Sequence, residues 1–183
     1  MPGLVVPGRW TEDELAYSPF PVEWPAAADQ PKALVVHQPI QAFAAYELGR
    51  LVRWGPVSTG RRETPTPAGA FNLTWKSKSR RSTDNDAWLL EWYFNFVNSR
   101  GVSFHKFDLP GYPASHACVR LLERDAQWLY EWGDQWTLDA TKRQVVTAGT
   151  PVLVVGAYDH KAPPPWVDPG VAPRVMEMPS SIR

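Results

Sequence analysis

The chain has 183 residues, enough for one domain of ordinary size or one domain with arms, and short for two. Nineteen Lys plus Arg balance nineteen Asp plus Glu, so the basic excess that marks a general nucleic-acid binder is absent. Hydrophobic residues at 44% and charged residues at 21% suit a folded core, and a single cysteine excludes a disulfide framework or any Cys-rich zinc or iron–sulfur site.

The first 31 residues carry six prolines and little periodicity, and read as an arm. Trp10, Phe20 and Trp24 favour an arm packed along the domain, since three exposed large aromatics would be wasteful. The N-terminus shows neither a basic n-region nor a long apolar h-region, so no secretory signal is visible as written. No apolar run approaches the ~18 residues of a spanning helix.

Ala33–His37 (ALVVH) is a continuous apolar strand ended by Gln38-Pro39. Gln41–Tyr46 and Leu51–Ser58 are two further strands, and Gly49 between them supplies a positive φ for a hairpin. Ala70–Trp75 alternates and makes a fourth. Lys76–Asp86 (KSKSRRSTDND) is polar and aperiodic, and reads as a loop or exposed flap. Trp88–Val97 holds one long strand or two short ones. Glu123–Gln135 is the one good helix, with Ala126, Leu129, Tyr130 and Gly133 at helical spacing and Asp125 as a cap or first-turn acid. Val152–Val155 closes the domain as a buried strand. From residue 158 the chain turns proline-rich again and reads as an extended, solvated tail. The expected layout is an arm over 1–31, a mainly β domain over 32–157 with one helix, and a tail over 158–183.

Chemistry concentrates in Ser103–Leu122 (SFHKFDLPGYPASHACVRLL), which holds the only cysteine, Cys118, and two of four histidines, His105 and His116. Nucleophilic cysteine chemistry needs a thiolate, a base to create it and N–H donors for the oxyanion. Leu109–Pro113 reverses the chain, so His105 can return to Cys118 across thirteen residues. Two other readings use the same residues. Cys118 can be a small buried hydrophobe, or His105, His116 and Cys118 can ligate zinc, although i, i+2 residues on a strand face opposite ways.

Ser115-His116-Ala117-Cys118-Val119-Arg120 resembles the SHGC-[VI]-R signature of L,D-transpeptidases of the YkuD type. Val57–Arg61 with Thr64–Phe71 is similar to that family's VSTG…TPTPxGxF stretch, and Ser103-Phe104-His105 sits where the family has its catalytic histidine. The first hairpin, with Gln41, Tyr46, Glu47 and Gly49, matches as well. The resemblance spans roughly residues 32–157. It implies a β-sandwich-like domain with Cys118 as nucleophile and His105 as general base. Ser115, His116 and Tyr112 would line the site, the N–H groups of Cys118 and Ala117 would form the oxyanion hole, and Arg120 would hold the catalytic loop through carbonyls. The partners implied are peptidoglycan stem peptides, a donor tetrapeptide and an acceptor amine, outside the cytoplasmic membrane. Neither a cofactor nor a metal is implied.

The flap Lys76–Asp86 is a candidate for holding stem carboxylates, and Trp88, Trp92 and Tyr93 for lining the groove or packing the core. Two positions depart from the family pattern: Ala117 and Lys106 stand where glycines are usual. A positive φ at 117 would cost alanine about 1–2 kcal/mol. Lys106 would lower the thiol pKa if it lay near Cys118, and would do nothing if it faced solvent.

Overall fold

A computed structural model describes residues 15, 17–83, 85–162, 164 and 176–182; Trp10 and most of the expected proline-rich tail lie outside them. The strands in chain order are β1 (Ala33–His37), β2 (Ala42–Glu47), β3 (Arg50–Ser58), β4 (Gly69–Asn72), β5 (Lys76–Arg81), β6 (Leu89–Val97), β7 (Val102–Lys106), β8 (Val119–Leu121), β9 (Thr137–Leu138), β10 (Val145–Thr147) and β11 (Pro151–Val155). Helix α1 spans Glu123–Trp132. Nine strands form one sheet in the order β4-β11-β1-β2-β3-β8-β7-β6-β5, and β9 and β10 make a separate ribbon. The sheet curls, so that Phe71 of β4 meets Phe96 of β6 edge to face at 5.7 Å although six strands separate them. Among the described residues the protein is mainly β, with Glu123–Trp132 as the α-helix the sequence predicts. Among the described residues no helix is long and apolar enough to cross a membrane.

Two cores explain the apolar pattern. Inside the curl, Leu34, Val36, Phe43, Phe94, Phe104, Val119 and Leu121 pack with Ala126 and Leu129 of α1. On the outer face, Ala33, Val35, Ala44, Tyr46 and Leu51 pack with Phe20 and Trp24 of the arm. β1 is therefore buried on both faces, which is why its sequence is continuously apolar instead of alternating.

The β2–β3 hairpin places Leu48 and Gly49 at φ of 48° and 75°, the two positive angles of a type I′ turn. A side chain at Gly49 would also meet the Trp24 carbonyl at 2.8 Å, because the arm crosses the turn and Trp24 N–H donates to Gly49 O. α1 ends at Trp132, short of Gln135, where the Gly133 N–H donates to Leu129 O. Asp125 lies in its first turn, fully buried, with Arg53 Nε and Nη2 donating to its Oδ1 at 2.9 and 2.7 Å.

Two expectations need correction, and for Trp88–Val97 the first of the two expected layouts holds. Lys76–Arg81 is the edge strand β5, paired only with β6; an edge strand open to solvent has no need of apolar alternation, so its sequence reads as a loop. Trp88–Val97 resolves into one strand, bent where Trp92 takes φ 54° and the register with β7 shifts. The far end of the tail is not solvated: Met176, Met178 and Ile182 pack on the outer core, and Trp24 Nε1 donates to Pro179 O at 2.8 Å.

Candidate active site

The site grows from two short parallel strands, β7 and β8, in register with His105 opposite Arg120. Alternation sorts their side chains. Val102, Phe104, Val119 and Leu121 enter the inner core, leaving Ser103, His105 and Arg120 on the other face. A parallel pair needs a crossover, and residues 107–118 supply it, delivering Cys118 to the start of β8.

That crossover is pinned by the segment after β3. Ala114 and Ser115 N–H groups donate to Thr59 O, and Arg61 N–H donates to Ser115 O. Ser58 Oγ donates to Tyr112 O at 2.7 Å, and Thr66 Oγ1 donates to Ala117 O at 2.8 Å while accepting from Gly60 N–H. A Cβ at Gly60 would stand 2.2 Å from Thr64 O, so only glycine permits this close approach. Ser115 Oγ donates to the Cys118 carbonyl, closing the turn from within. Ala117 takes φ 79°, the strained angle anticipated for it.

The Cys118 thiol is half-buried. Ser103 Oγ stands 3.4 Å from its sulfur, and the Gly101 carbonyl is 3.9 Å away. Gly101 is set by its own φ of 68° at the end of a 3-10 turn, and its carbonyl also accepts from Tyr93 OH at 3.3 Å. Asn95 Nδ2 donates to that hydroxyl and Thr74 Oγ1 to Asn95 Oδ1, so a buried polar chain runs back from the thiol into the sheet.

His105 is 4% exposed, and its Nδ1 lies 2.9 Å from the Lys106 carbonyl. A carbonyl only accepts, so the proton of the neutral ring sits on Nδ1 and the lone pair on Nε2. Burial drives the His105 pKa down to about 4; the Lys106 carbonyl opposes this and the Arg120 charge adds to it. The ring is therefore neutral, and basic at Nε2, at pH 7.

Two small cavities open on Cys118. One is lined by Trp88, His105, Phe107, Ser115, His116 and Arg120, the other by Arg80, Tyr93, Arg100, Gly101 and His116. The first is closed by aromatics: Trp88 meets His116 edge to face at 5.3 Å and Phe107 at 6.2 Å. Arg120 lays its guanidinium 4.5 Å from the Phe107 ring centre and reaches 3.5 Å from Asp108 O. Glu123, three residues further along the chain, pairs with Lys106, whose Nζ is 2.8 Å from Glu91 and 3.3 Å from Glu123. Lys106 is thus held by carboxylates in a separate groove.

The structure brings together Cys118, His105, Ser115, His116 and Arg120. Tyr112 stands 53% exposed, and the loop uses its carbonyl. Of the aromatic candidates, Trp88 and Tyr93 line the cavities, while Trp92 packs against Tyr130 of α1 at 5.5 Å. Among the described residues no three His, Cys, Asp or Glu side chains are grouped to hold a metal ion. Sequence reasoning passed over Ser103 and the carbonyls of Gly101 and Lys106. Ser103 carries a readable signal once β7 is known to be a strand, because i, i+2 residues share a face.

A thiol and a neutral imidazole line one cavity, and a carbonyl orients the ring; these are the components on which covalent cysteine catalysis draws. The family model of the L,D-transpeptidase catalytic domain, YkuD, matches residues 31–154, and the chain belongs to that family. Among solved structures, it is similar to an L,D-transpeptidase from Stackebrandtia nassauensis, at 25% identity and TM-score 0.57, over 71% of this chain and 58% of that one. An L,D-transpeptidase from Mycobacterium tuberculosis H37Rv matches at 25% identity and TM-score 0.54, over 69% and 58% of the two chains. L,D-transpeptidase 3 from Mycobacterium tuberculosis, in complex with a faropenem-derived adduct, shares the fold at 22% identity and TM-score 0.53, over 69% and 60%. The chain therefore spans less than two thirds of the length of the solved structures it matches. No match was found among curated proteins.

Proposed function

We propose that the protein is a cysteine-dependent L,D-transpeptidase that crosslinks peptidoglycan stem peptides through a thioester on Cys118, outside the cytoplasmic membrane. The observation that carries this reading is the neutral, Nδ1-anchored His105 lining one cavity with the Cys118 thiol. His105 Nε2 takes the thiol proton, and the Ser103 hydroxyl beside the sulfur supports the thiolate. The thiolate attacks the carbonyl of the diamino-acid residue at stem position three, and the N–H groups of Cys118 and Ala117 take up the oxyanion. Collapse expels D-alanine, whose nitrogen receives the proton from His105. A side-chain amine of a second stem then attacks the thioester, His105 removes the surplus proton, and the thiolate leaves, giving a 3→3 amide.

Water in place of that amine gives L,D-carboxypeptidase action. One observation favours this second reading: the His105 cavity, about 30 Å³, is of a size that admits water. A third reading, a catalytically impaired wall-binding domain, draws on the strained Ala117.

Mass spectrometry after incubation with a carbapenem separates the enzyme from the impaired domain. An intact adduct that disappears in Cys118→Ala supports the nucleophile; a free thiol that acquires no adduct sinks it. Incubation with tetrapeptide muropeptides then divides crosslinked dimers from trimmed tripeptides.

A further inference from the structure

The second cavity on Cys118 carries an unbalanced charge. Arg80, on edge strand β5, stacks its guanidinium against the rings of Trp75 and Tyr93 at 5.2 and 4.9 Å. Stacking fixes the plane of the fork before any ligand arrives, which removes much of the ordering cost that a free arginine has. Its Nε donates to the Arg81 carbonyl, and the residue lines the cavity. Arg100 closes the 3-10 turn Asn98–Arg100, and the turn that aims Gly101 O at the thiol also brings Arg100 to the cavity wall.

Elsewhere, Arg53 meets Asp125, Lys32 meets Asp134, and Lys106 meets Glu91 and Glu123, while Lys76 is held by two backbone carbonyls. Arg80 and Arg100 meet none among the described residues, yet they share one wall-to-wall space with the sulfur. Two guanidiniums that line one cavity with a thiol, and meet no carboxylate among the described residues, suit an anion from outside, and a carboxylate fits the fork in bidentate fashion.

We propose that Arg80 and Arg100 bind a free carboxylate of the acyl-donor peptide and so select which peptides reach Cys118. This rests on the reading of Cys118 as the acylated nucleophile. A tetrapeptide donor offers two sources of that group, the carboxylate of its terminal D-alanine and a side-chain carboxylate.

The test is calorimetric binding to the Cys118→Ala protein, which takes turnover out of the measurement. Three tetrapeptides are compared: the free acid, the C-terminal amide and the side-chain amide. The free acid is expected to bind about tenfold more tightly than whichever amide blocks the recognised group. That preference should vanish when Arg80→Gln or Arg100→Gln is added, with thermal melting confirming that each variant is folded. Equal affinity for all three peptides, a preference that survives both arginine substitutions, or no binding of any peptide overturns the proposal. Release of D-alanine by the native protein is measured alongside. Binding that depends on the arginines without such release would uphold the carboxylate site and reject the crosslinking reading.

Discussion

Ala117 holds its side chain at φ 79°, where an L-residue is strained by about 1–2 kcal/mol. Glycine would relieve that strain. Against this stand about 0.4–1 kcal/mol for the greater freedom of glycine in the unfolded chain and about 0.8 kcal/mol for a buried methyl group. The contributions nearly cancel, so Ala117→Gly is expected to shift unfolding stability by less than about 1 kcal/mol in a urea titration. Its effect should appear in turnover, where the Cβ beside the acyl group is removed. His105 gives a clearer signature. Burial lowers its pKa from 6.5 to about 4, so the unfolded chain binds the proton more readily than the folded one. The resulting stability is complete above pH 6.5 and is lost as pH falls toward 4, amounting to about 3 kcal/mol. His37, also lowered by burial, acts in the same direction. An NMR titration of the resting protein should place the His105 inflection near 4, and an inflection near 6.5 would contradict the buried ring. At this scale Cys118 and His105 were legible from the motif and its spacing. The direction of Lys106 was not, since it depends on Glu91 and Glu123, which come from two other elements.

Elements were legible in proportion to how their burial imprints on sequence. β1 and β11 are apolar because each packs against core on both faces, and Gly49 announces its hairpin through φ. β5 leaves no imprint because it lies at the edge, and its lysine and arginines have individual tasks instead. Lys76 Nζ donates to Tyr130 O and Gly133 O at 2.6 and 3.2 Å, covering the C-terminal end of α1, where cations are favoured. Lys76→Gln removes the charge and both hydrogen bonds at a partly buried position. A loss of about 1–2 kcal/mol is expected in chemical denaturation, with thiol alkylation at Cys118 unchanged. Residues 102–106 read poorly as a strand for the opposite reason: one of their faces is core and the other lies toward the Cys118 cavity, so a polar residue and an apolar one are equally buried.

Across the whole molecule, the arm and the end of the tail close over the outer core together. Met176 N–H donates to Pro19 O, Trp24 Nε1 donates to Pro179 O, and Met176, Met178 and Ile182 cover Phe20 and Trp24. Proline content suggested a solvated end because composition does not show which few apolar residues beyond the prolines return to the sheet. Deleting residues 176–183 is expected to cost about 2–4 kcal/mol of stability through lost apolar burial. Carbapenem acylation of the surviving folded fraction should keep its rate, since among the described residues none of the tail lines either cavity on Cys118.

The strap formed by Thr59, Gly60, Thr64 and Thr66 holds Ser115 and Ala117 by their carbonyls and amides, half a hundred positions away in sequence. Anyone building chimaeras with a related enzyme would have to graft both stretches as a set. A transplanted nucleophile loop on a foreign strap would keep every reacting atom, yet lose the scaffold that aims them.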